Sequence, residues 1–346
     1  MALRKLSVDE QSGCFVLSKP TIIDIPRPRR EPLSVLLVDN LAIGGFSTVL
    51  EGVLWNGDKV ALKYPMADSW STAKREYEIL SGLHRANTRI KCAIVTLLEV
   101  FIDEGLYVLV FPLYKPLSNL FPKPKGDSEE NTWFSHEQAV KIMYELLVAV
   151  HFVHSNNLAH NDIKVDNILV NHNMRPRLAD FGLANPFEEH MVVGTKAYRS
   201  PENLMGSGCG VKSDIWALGC TFFYVLTGRD VVTDEKFIMD DRVLFAFLLL
   251  RTGTTLDHPC LQKCMTKGLL DLPLPRVNPK PRQFSVKRAH IKDSDDLRGL
   301  ICKLMEFDEN ARIGIEEAMN LPLFQELPKW MKTMGNAVLA LSAQKK

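Results

Sequence analysis

The sequence predicts an α+β protein in which a small β-rich lobe with one helix precedes a larger, mainly helical lobe. Two observations carry that expectation. Short runs rich in β-branched and aromatic residues crowd the stretch from Val35 to Phe111, and helical periods take over after Tyr114. The length, 346 residues, is long for one core and suits about two folding units. Strands are expected at Ser34–Val38, Thr48–Leu54, Lys59–Lys63, Ile94–Phe101 and Tyr107–Phe111, separated by turn sequences such as Asn56-Gly57-Asp58 and Asp103-Glu104-Gly105. One helix, Ser71–Leu83, interrupts them with Ala73, Tyr77, Leu80 and Leu83 on one face.

Residues 115–132 are rich in Pro, Lys and acidic residues and read as an exposed loop. Ser135-His136-Glu137-Gln138 then has the form of a capping box and opens a helix with Ala139, Val140, Met143, Leu146, Leu147, Val150 and Val153 on its apolar face. Further helices are expected at Ser213–Thr227, stopped by Gly228, and at Asp241–Arg251, Ser294–Met305 and Ile315–Asn320. The Pro- and Lys-rich stretch Thr252–Lys292 reads as an excursion. Residues 1–33 show no period and read as an N-terminal extension, and 327–346 as a C-terminal tail, around a domain at 34–326. In that domain the β-rich lobe covers about 34–111 and the helical lobe about 115–326. Within the extension, the Pro/Arg cluster from Ile25 to Arg30 reads as a solvated tail, with a nuclear address as the other reading.

Composition narrows the functional classes. Hydrophobic residues make up 46% and charged residues 24%, which excludes a disordered, collagen-like or disulfide-scaffold chain. Lys plus Arg number 42 against 41 for Asp plus Glu, so nothing in bulk demands nucleic acid or an anionic membrane as partner. Apolar runs such as Val108–Pro112 and Phe245–Leu250 are too short to span a bilayer, and no signal peptide is readable at the N-terminus. Seven scattered cysteines fit a reduced cytoplasmic or nuclear setting. Cys260 and Cys264 lack a second pair with ligand spacing, so thiols are favoured over a zinc site.

The sharpest motif is His160-Asn161-Asp162-Ile163-Lys164-Val165-Asp166-Asn167, with Asp180-Phe181-Gly182 thirteen residues beyond Asn167. An Asp, a Lys and an Asn on one tight loop, with a second Asp on a later turn, suit phosphoryl transfer from Mg-ATP, where positioning and positive charge do most of the catalysis. From Leu41 to Phe324 the chain resembles the eukaryotic protein kinases of serine/threonine type, nearest in pattern to the cyclin-dependent-like (CMGC) group.

The resemblance implies a bilobal kinase fold and a chemistry for each matching residue. Asp162 accepts the substrate hydroxyl proton and Lys164 lies beside the γ-phosphate. Asn167 and Asp180 are the Mg²⁺ ligands. Lys63, in Val60-Ala61-Leu62-Lys63, grips the ATP α/β-phosphates and is held by Glu76, with Glu78 ranked second. His160 is structural. Leu41 to Val49, including Ala42, Ile43, Gly44 and Gly45, corresponds to the phosphate-covering hairpin, and Val49 and Ala61 belong to the nucleotide site. Phe111 gates the adenine pocket, while Pro112 and Tyr114 present hinge backbone groups. Gly194–Glu202 seats a protein substrate, and Thr195 with Lys164 points to serine/threonine specificity. Asp214 caps the catalytic loop, and Arg312 is the buried partner of Glu202.

Departures from the family are informative. Ala42 and Ser47 replace the outer glycines of the phosphate hairpin, and Ser200 replaces the Ala of Ala-Pro-Glu. Asn161 stands where many family members carry a phosphate-binding Arg, Asn185 stands where cyclin-dependent kinases carry a second, and no Ser, Thr or Tyr lies between Leu183 and Gly194. A phosphate of roughly −2 charge would lack its clamp, so activity is expected to be independent of activation-loop phosphorylation. Glu188 or Glu189 pairing with Arg75 is one expectation, solvated carboxylates the other. The rival readings are a pseudokinase, suggested by the altered glycines, and a small-molecule phosphotransferase, which would not need the peptide platform at Gly194–Glu202. A kinase regulated by a subunit of cyclin type is a further alternative, since Ser71–Glu76 echoes the cyclin-contacting helix, although the missing phosphate clamp weighs against it.

Overall fold

The computed structural model describes residues 5–9, 14–27, 30–44, 47–66, 69–88, 90–121, 134–187, 192–233, 235–238, 240–254 and 294–345. The chain forms two compact units: Met1–Arg89 with Ile94–Lys115 and Asp180–Gly182, and Ile90–Ala93 with Pro116–Ala179 and Leu183–Lys346.

In the first unit the strands are β1 (Ser7–Val8), β2 (Phe15–Val16), β3 (Thr21–Ile25), β4 (Leu33–Ile43), β5 (Ser47–Leu54), β6 (Lys59–Pro65), β7 (Glu99–Asp103) and β8 (Leu106–Pro112). Six of them form an antiparallel sheet in the order β3-β4-β5-β6-β8-β7. Gly57 and Gly105, at φ 86° and 90°, make the turns of the β5–β6 and β7–β8 hairpins. Alternation buries one face: Ile23, Ile25, Val35, Leu37, Leu50, Val60, Leu62 and Val110 share a core with Tyr64 and Phe101. Helix α1 (Trp70–Asn87) packs on β8 and β6 and runs four residues past its expected end.

Two expectations need correction here. The segment expected as an extension is in part core. β3 pairs with β4 from Thr21↔Leu37 to Ile25↔Leu33, and Ile25 at the start of the basic cluster is fully buried. The run Ile94–Phe101 is also not one strand. Ile94 and Val95 are buried outside the sheet, and pairing with β8 begins at Glu99.

The second unit is built round two helices buried on most sides, α2 (His136–His154) and α4 (Val211–Thr227). The capping box at α2 is complete: Ser135 Oγ accepts from the Gln138 N–H, and the Ser135 N–H donates to Gln138 Oε1. Gly228 ends α4 in the left-handed conformation, φ 65°. Short strands β9 (Leu158–Ala159), β10 (Ile168–Val170), β11 (Pro176–Leu178) and β12 (Asn185–Pro186) pair as β9 with β12 and β10 with β11. Among the described residues the remaining α-helices are α3 (Pro201–Leu204), α5 (Glu235–Ile238), α6 (Asp241–Thr252), α7 (Ser294–Leu304), α8 (Ile315–Met319) and α9 (Lys329–Lys345). The last corrects the expected C-terminal tail. α9 buries Met331, Met334 and Val338, at i, i+3 and i+7, and packs on α2. Among the described residues no helix is long and apolar enough to cross a membrane.

Candidate active site

The first unit carries the hairpin and the lysine. In the β4–β5 hairpin, Ala42 faces Val49 and Ile43 faces Thr48, and the Gly44 N–H donates to the Ser47 carbonyl at 2.9 Å. Gly45, also assigned to this hairpin, lies outside the described residues. The sheet register then places Val49 beside Lys63, Ala61 beside Phe111 and Val60 beside Pro112. The Leu113 N–H donates to the Lys59 carbonyl, so the backbone leads on to a half-buried Tyr114.

Lys63 Nζ lies 2.7 Å from Glu76 Oε2 and 2.8 Å from Asp180 Oδ1. Helical phase explains why Glu76 and not Glu78 takes this place. Glu76 shares the buried face of α1 with Ala73, Leu80 and Leu83, whereas Glu78 is exposed, 3.9 Å from Lys74. Glu76 Oε1 also accepts from the Phe181 N–H, tying the Asp180–Gly182 turn to α1. Burial alone would push the Lys63 pKa down, but the Asp180 and Glu76 carboxylates outweigh it and hold the ammonium well above the ordinary lysine value. Glu76 is itself pushed up, first by burial and then by Asp180, against the pull of Lys63. Asp180 has φ 62°, a left-handed conformation that Asp tolerates better than most residues.

The second unit carries the loop from His160 to Asn167. Asp214 of α4 is its anchor: Oδ2 accepts from the His160 N–H and Oδ1 from the Asn161 N–H, both at 2.8 Å. His154 Nε2 lies 2.9 Å from the same carboxylate, a contact that the motif did not reveal. His160 is fully buried with Nε2 at 3.0 Å from the Ala179 carbonyl, consistent with packing. Asn167 Nδ2 donates to the Asp162 carbonyl and to Asp162 Oδ2, at 2.8 and 2.9 Å. With its amide nitrogen so engaged, Asn167 keeps its side-chain oxygen for another partner.

Thr195 meets the same carboxylate. Its N–H and its hydroxyl donate to Asp162 Oδ1 at 3.0 and 2.8 Å, and Lys164 Nζ reaches both the Thr195 hydroxyl (2.8 Å) and Asp162 Oδ2 (3.1 Å). Gly194 passes the loop so closely, at φ 89°, that a side chain there would collide with the Asn161 carbonyl. Asn161 itself is left-handed at φ 66°. Its Nδ2 donates to Asn185 Oδ1 at 2.5 Å and to the Leu183 carbonyl at 3.1 Å. The two asparagines at the expected arginine positions thus bond one another, which their separate places in the sequence did not announce. Glu188 and Glu189 lie outside the described residues.

Below this loop, Arg312 and Glu202 form a buried two-pronged pair, Nη1–Oε1 2.7 Å and Nη2–Oε2 2.9 Å. Burial would push the Glu202 carboxyl up, but the Arg312 guanidinium holds it below the usual range. The Ser200 hydroxyl, in place of the family's Ala, is fully buried and lies 2.9 Å from Ser213 Oγ.

The protein kinase domain family model matches residues 37–324. Among curated proteins, the chain is 30% identical over 274 residues to the mitogen-activated protein kinase mpkC of Aspergillus clavatus, covering 76% of this chain and 67% of that protein. The mpkC of Aspergillus fumigatus is 28% identical over the same coverage. A family match across most of the chain, on a β-rich unit that pairs Lys63 with Glu76 and a helical unit that carries Asp162 and Asn167, places this chain in the protein kinase family.

Proposed function

We propose that the chain is an active serine/threonine protein kinase that transfers the γ-phosphate of Mg-ATP to protein hydroxyls. The observation that carries this reading is the pairing of Lys63 with a buried Glu76, since a lysine held charged in this way is suited to gripping ATP phosphates. Asp162 would accept the proton of the substrate hydroxyl, with Asn167 fixing its carboxylate and Lys164 supplying positive charge beside it. Asn167 and Asp180 would hold Mg²⁺, whose charge neutralises the phosphate oxygens; their hard oxygen donors fit that ion. Phe111, Pro112 and Tyr114 would border the adenine, with Ala61 and Val49 as apolar contacts. Serine/threonine specificity is supported by Thr195, which links Lys164 to Asp162.

We further propose that activity does not require activation-loop phosphorylation. The Asn161–Asn185 bond supports this, because a neutral amide pair joins the two segments where a phosphate and its arginines would otherwise meet. The residue that next carries a hydroxyl, Thr195, is already bonded to Asp162, and Ser200 is buried.

The test is phosphate transfer from Mg-ATP to mixed protein substrates by wild type, Asp162→Asn and Lys63→Met. Wild type is expected to transfer phosphate, with Asp162→Asn slower by about 10²–10⁴. Equal, negligible incorporation in all three would refute the catalytic reading. Mg-ATP stabilisation without transfer would favour a pseudokinase, the reading that the replaced glycines at Ala42 and Ser47 support. Phosphatase-treated enzyme is expected to keep its activity. Loss of activity, with phosphate mapped to Thr195 or Ser200, would refute the second proposal.

A further inference from the structure

The β4–β5 hairpin is an unusual one for holding phosphates. Two of its expected glycines are replaced, and β4 is irregular, with register shifts against β5 between Leu37 and Asp39 and between Asn40 and Ala42. Each shift loosens the ladder that would otherwise fix where the tip points. Asn40 sits between these two irregularities, and its side chain does not stay within the hairpin. Its Nδ2 donates to the Leu17 carbonyl at 2.9 Å, and its Oδ1 accepts from the Leu17 N–H at 2.8 Å. One amide thus makes a two-pronged bond with the backbone of the N-terminal segment, in the way a neighbouring strand would.

The same segment reaches the hairpin at a second point. Cys14, 1% exposed, donates from Sγ to the carbonyl of Gly44 at 3.5 Å, next to the bond that closes the turn from the Gly44 N–H to the Ser47 carbonyl. The segment is itself held in place. Phe15 meets Tyr64 edge-on at 6.3 Å, β2 pairs with β1, and β3 continues it into the main sheet. Asn40, near the end of β4, and the turn residue Gly44 are therefore both tied to residues 14–17, a stretch that precedes the part of the chain matched by the family model.

We propose that Asn40 is a positioning residue for the nucleotide phosphates. Through it, and through Cys14, residues 14–17 act as a strap that fixes the height and angle of the phosphate-covering turn. The strap supplies from outside the hairpin the definition that its own irregular ladder lacks. This rests on the reading that the hairpin covers the phosphates of Mg-ATP. The chemistry predicts a particular signature: because the strap acts on the turn, its loss should weaken ligands in proportion to the phosphates they carry, and leave adenosine alone.

The experiment is calorimetric titration of the full chain with Mg-ATP, Mg-ADP and adenosine, for wild type, Asn40→Leu, Asn40→Asp, Cys14→Ala and Cys14→Ser. Asn40→Leu removes both hydrogen bonds at similar volume and should raise the Mg-ATP dissociation constant roughly tenfold, with adenosine changed by less than about twofold. Asn40→Asp keeps only the acceptor for the Leu17 N–H and should fall between the two. Cys14→Ala should shift Mg-ATP in the same direction by about two- to threefold, and Cys14→Ser, which keeps a donor, should restore it. Equal weakening of Mg-ATP and adenosine would overturn the proposal, since it would mark a general loss of structure. So would wild-type affinity for all three ligands in Asn40→Leu. Should Asn40→Leu not fold, the cysteine pair decides: an unchanged ratio of Mg-ATP to adenosine affinity in Cys14→Ala overturns the strap. Failure of the wild type to bind Mg-ATP while binding adenosine would overturn the kinase reading and the inference together.

Discussion

Replacing Arg312 by Met removes a guanidinium that is 2% exposed and leaves the Glu202 carboxylate, 5% exposed, without its cation. Arg312 makes two short bonds to Glu202 and also donates to the carbonyls of Lys212 (2.7 Å) and Glu306 (2.9 Å). What remains to Glu202 is hydrogen bonding from neutral groups, the Ser213 hydroxyl at 3.3 Å, the Ser200 hydroxyl and a backbone N–H, with no cation to offset its charge. An unpaired buried charge of this kind costs roughly 3–5 kcal/mol, and the lost bonds to the Lys212 and Glu306 carbonyls add to it. For a unit of this size each kcal/mol lowers the melting midpoint by about 2–4 °C, so Arg312→Met should melt roughly 6–20 °C below wild type. Thermal unfolding by circular dichroism measures this directly. The double variant Glu202→Met, Arg312→Met removes the stranded charge but does not restore the bonds to the Lys212 and Glu306 carbonyls, and should recover part of the loss. A single-variant shift below about 3 °C would refute the reasoning. So would a double variant no more stable than Arg312→Met, because the stranded carboxylate would then not be the dominant cost.

Acidity probes the same pair. The folded-state pKa of Glu202 is depressed, so its contribution is present above the usual carboxylate value of 4.5 and fades as pH falls through the folded value. The stability gap between wild type and Glu202→Gln should therefore narrow below pH 4.5 in a pH series of melting curves. Gly194→Ala forces a side chain into left-handed backbone against the Asn161 carbonyl, and kcat for protein substrate should fall at least tenfold in a steady-state assay. Gly219→Val places bulk against Met305 and Leu304 where α4 meets α7, and should lower the melting midpoint by several degrees.

Much of the site was legible because chemistry restricts the residue types it can use. Asp162, Asn167 and Asp180 announce themselves by identity and spacing, and helical phase alone separates Glu76 from Glu78. Contacts between distant segments were not legible in the same way. Asn161 and Asn185 could be noted as replacements, but only the antiparallel pairing of β9 with β12 brings one to the other. The first sheet strand, Thr21–Ile25, is five residues between prolines, and its alternation of Ile23 and Ile25 inward is too short to stand out from a loop. The last helix did carry a signal: Met331, Met334 and Val338 have helical spacing, although Lys and polar residues dilute it. The register shifts in β4 hid the full length of that strand, since an extra residue breaks the period-two pattern.

Helix α9 has a consequence for where the folded border of the helical unit lies. The match to the protein kinase domain family stops at Phe324, yet Leu327, Met331, Met334 and Val338 are buried beyond it, and Gly335 lies so close to Tyr144 of α2 that a side chain there would clash. Heredity and hydrophobic packing therefore draw different borders. A chain cut at the border of the shared family region would bare the flank of α2, and would be expected to aggregate rather than behave as a minimal enzyme. Modules of this kind are trimmed safely by following the buried side chains, not the alignment.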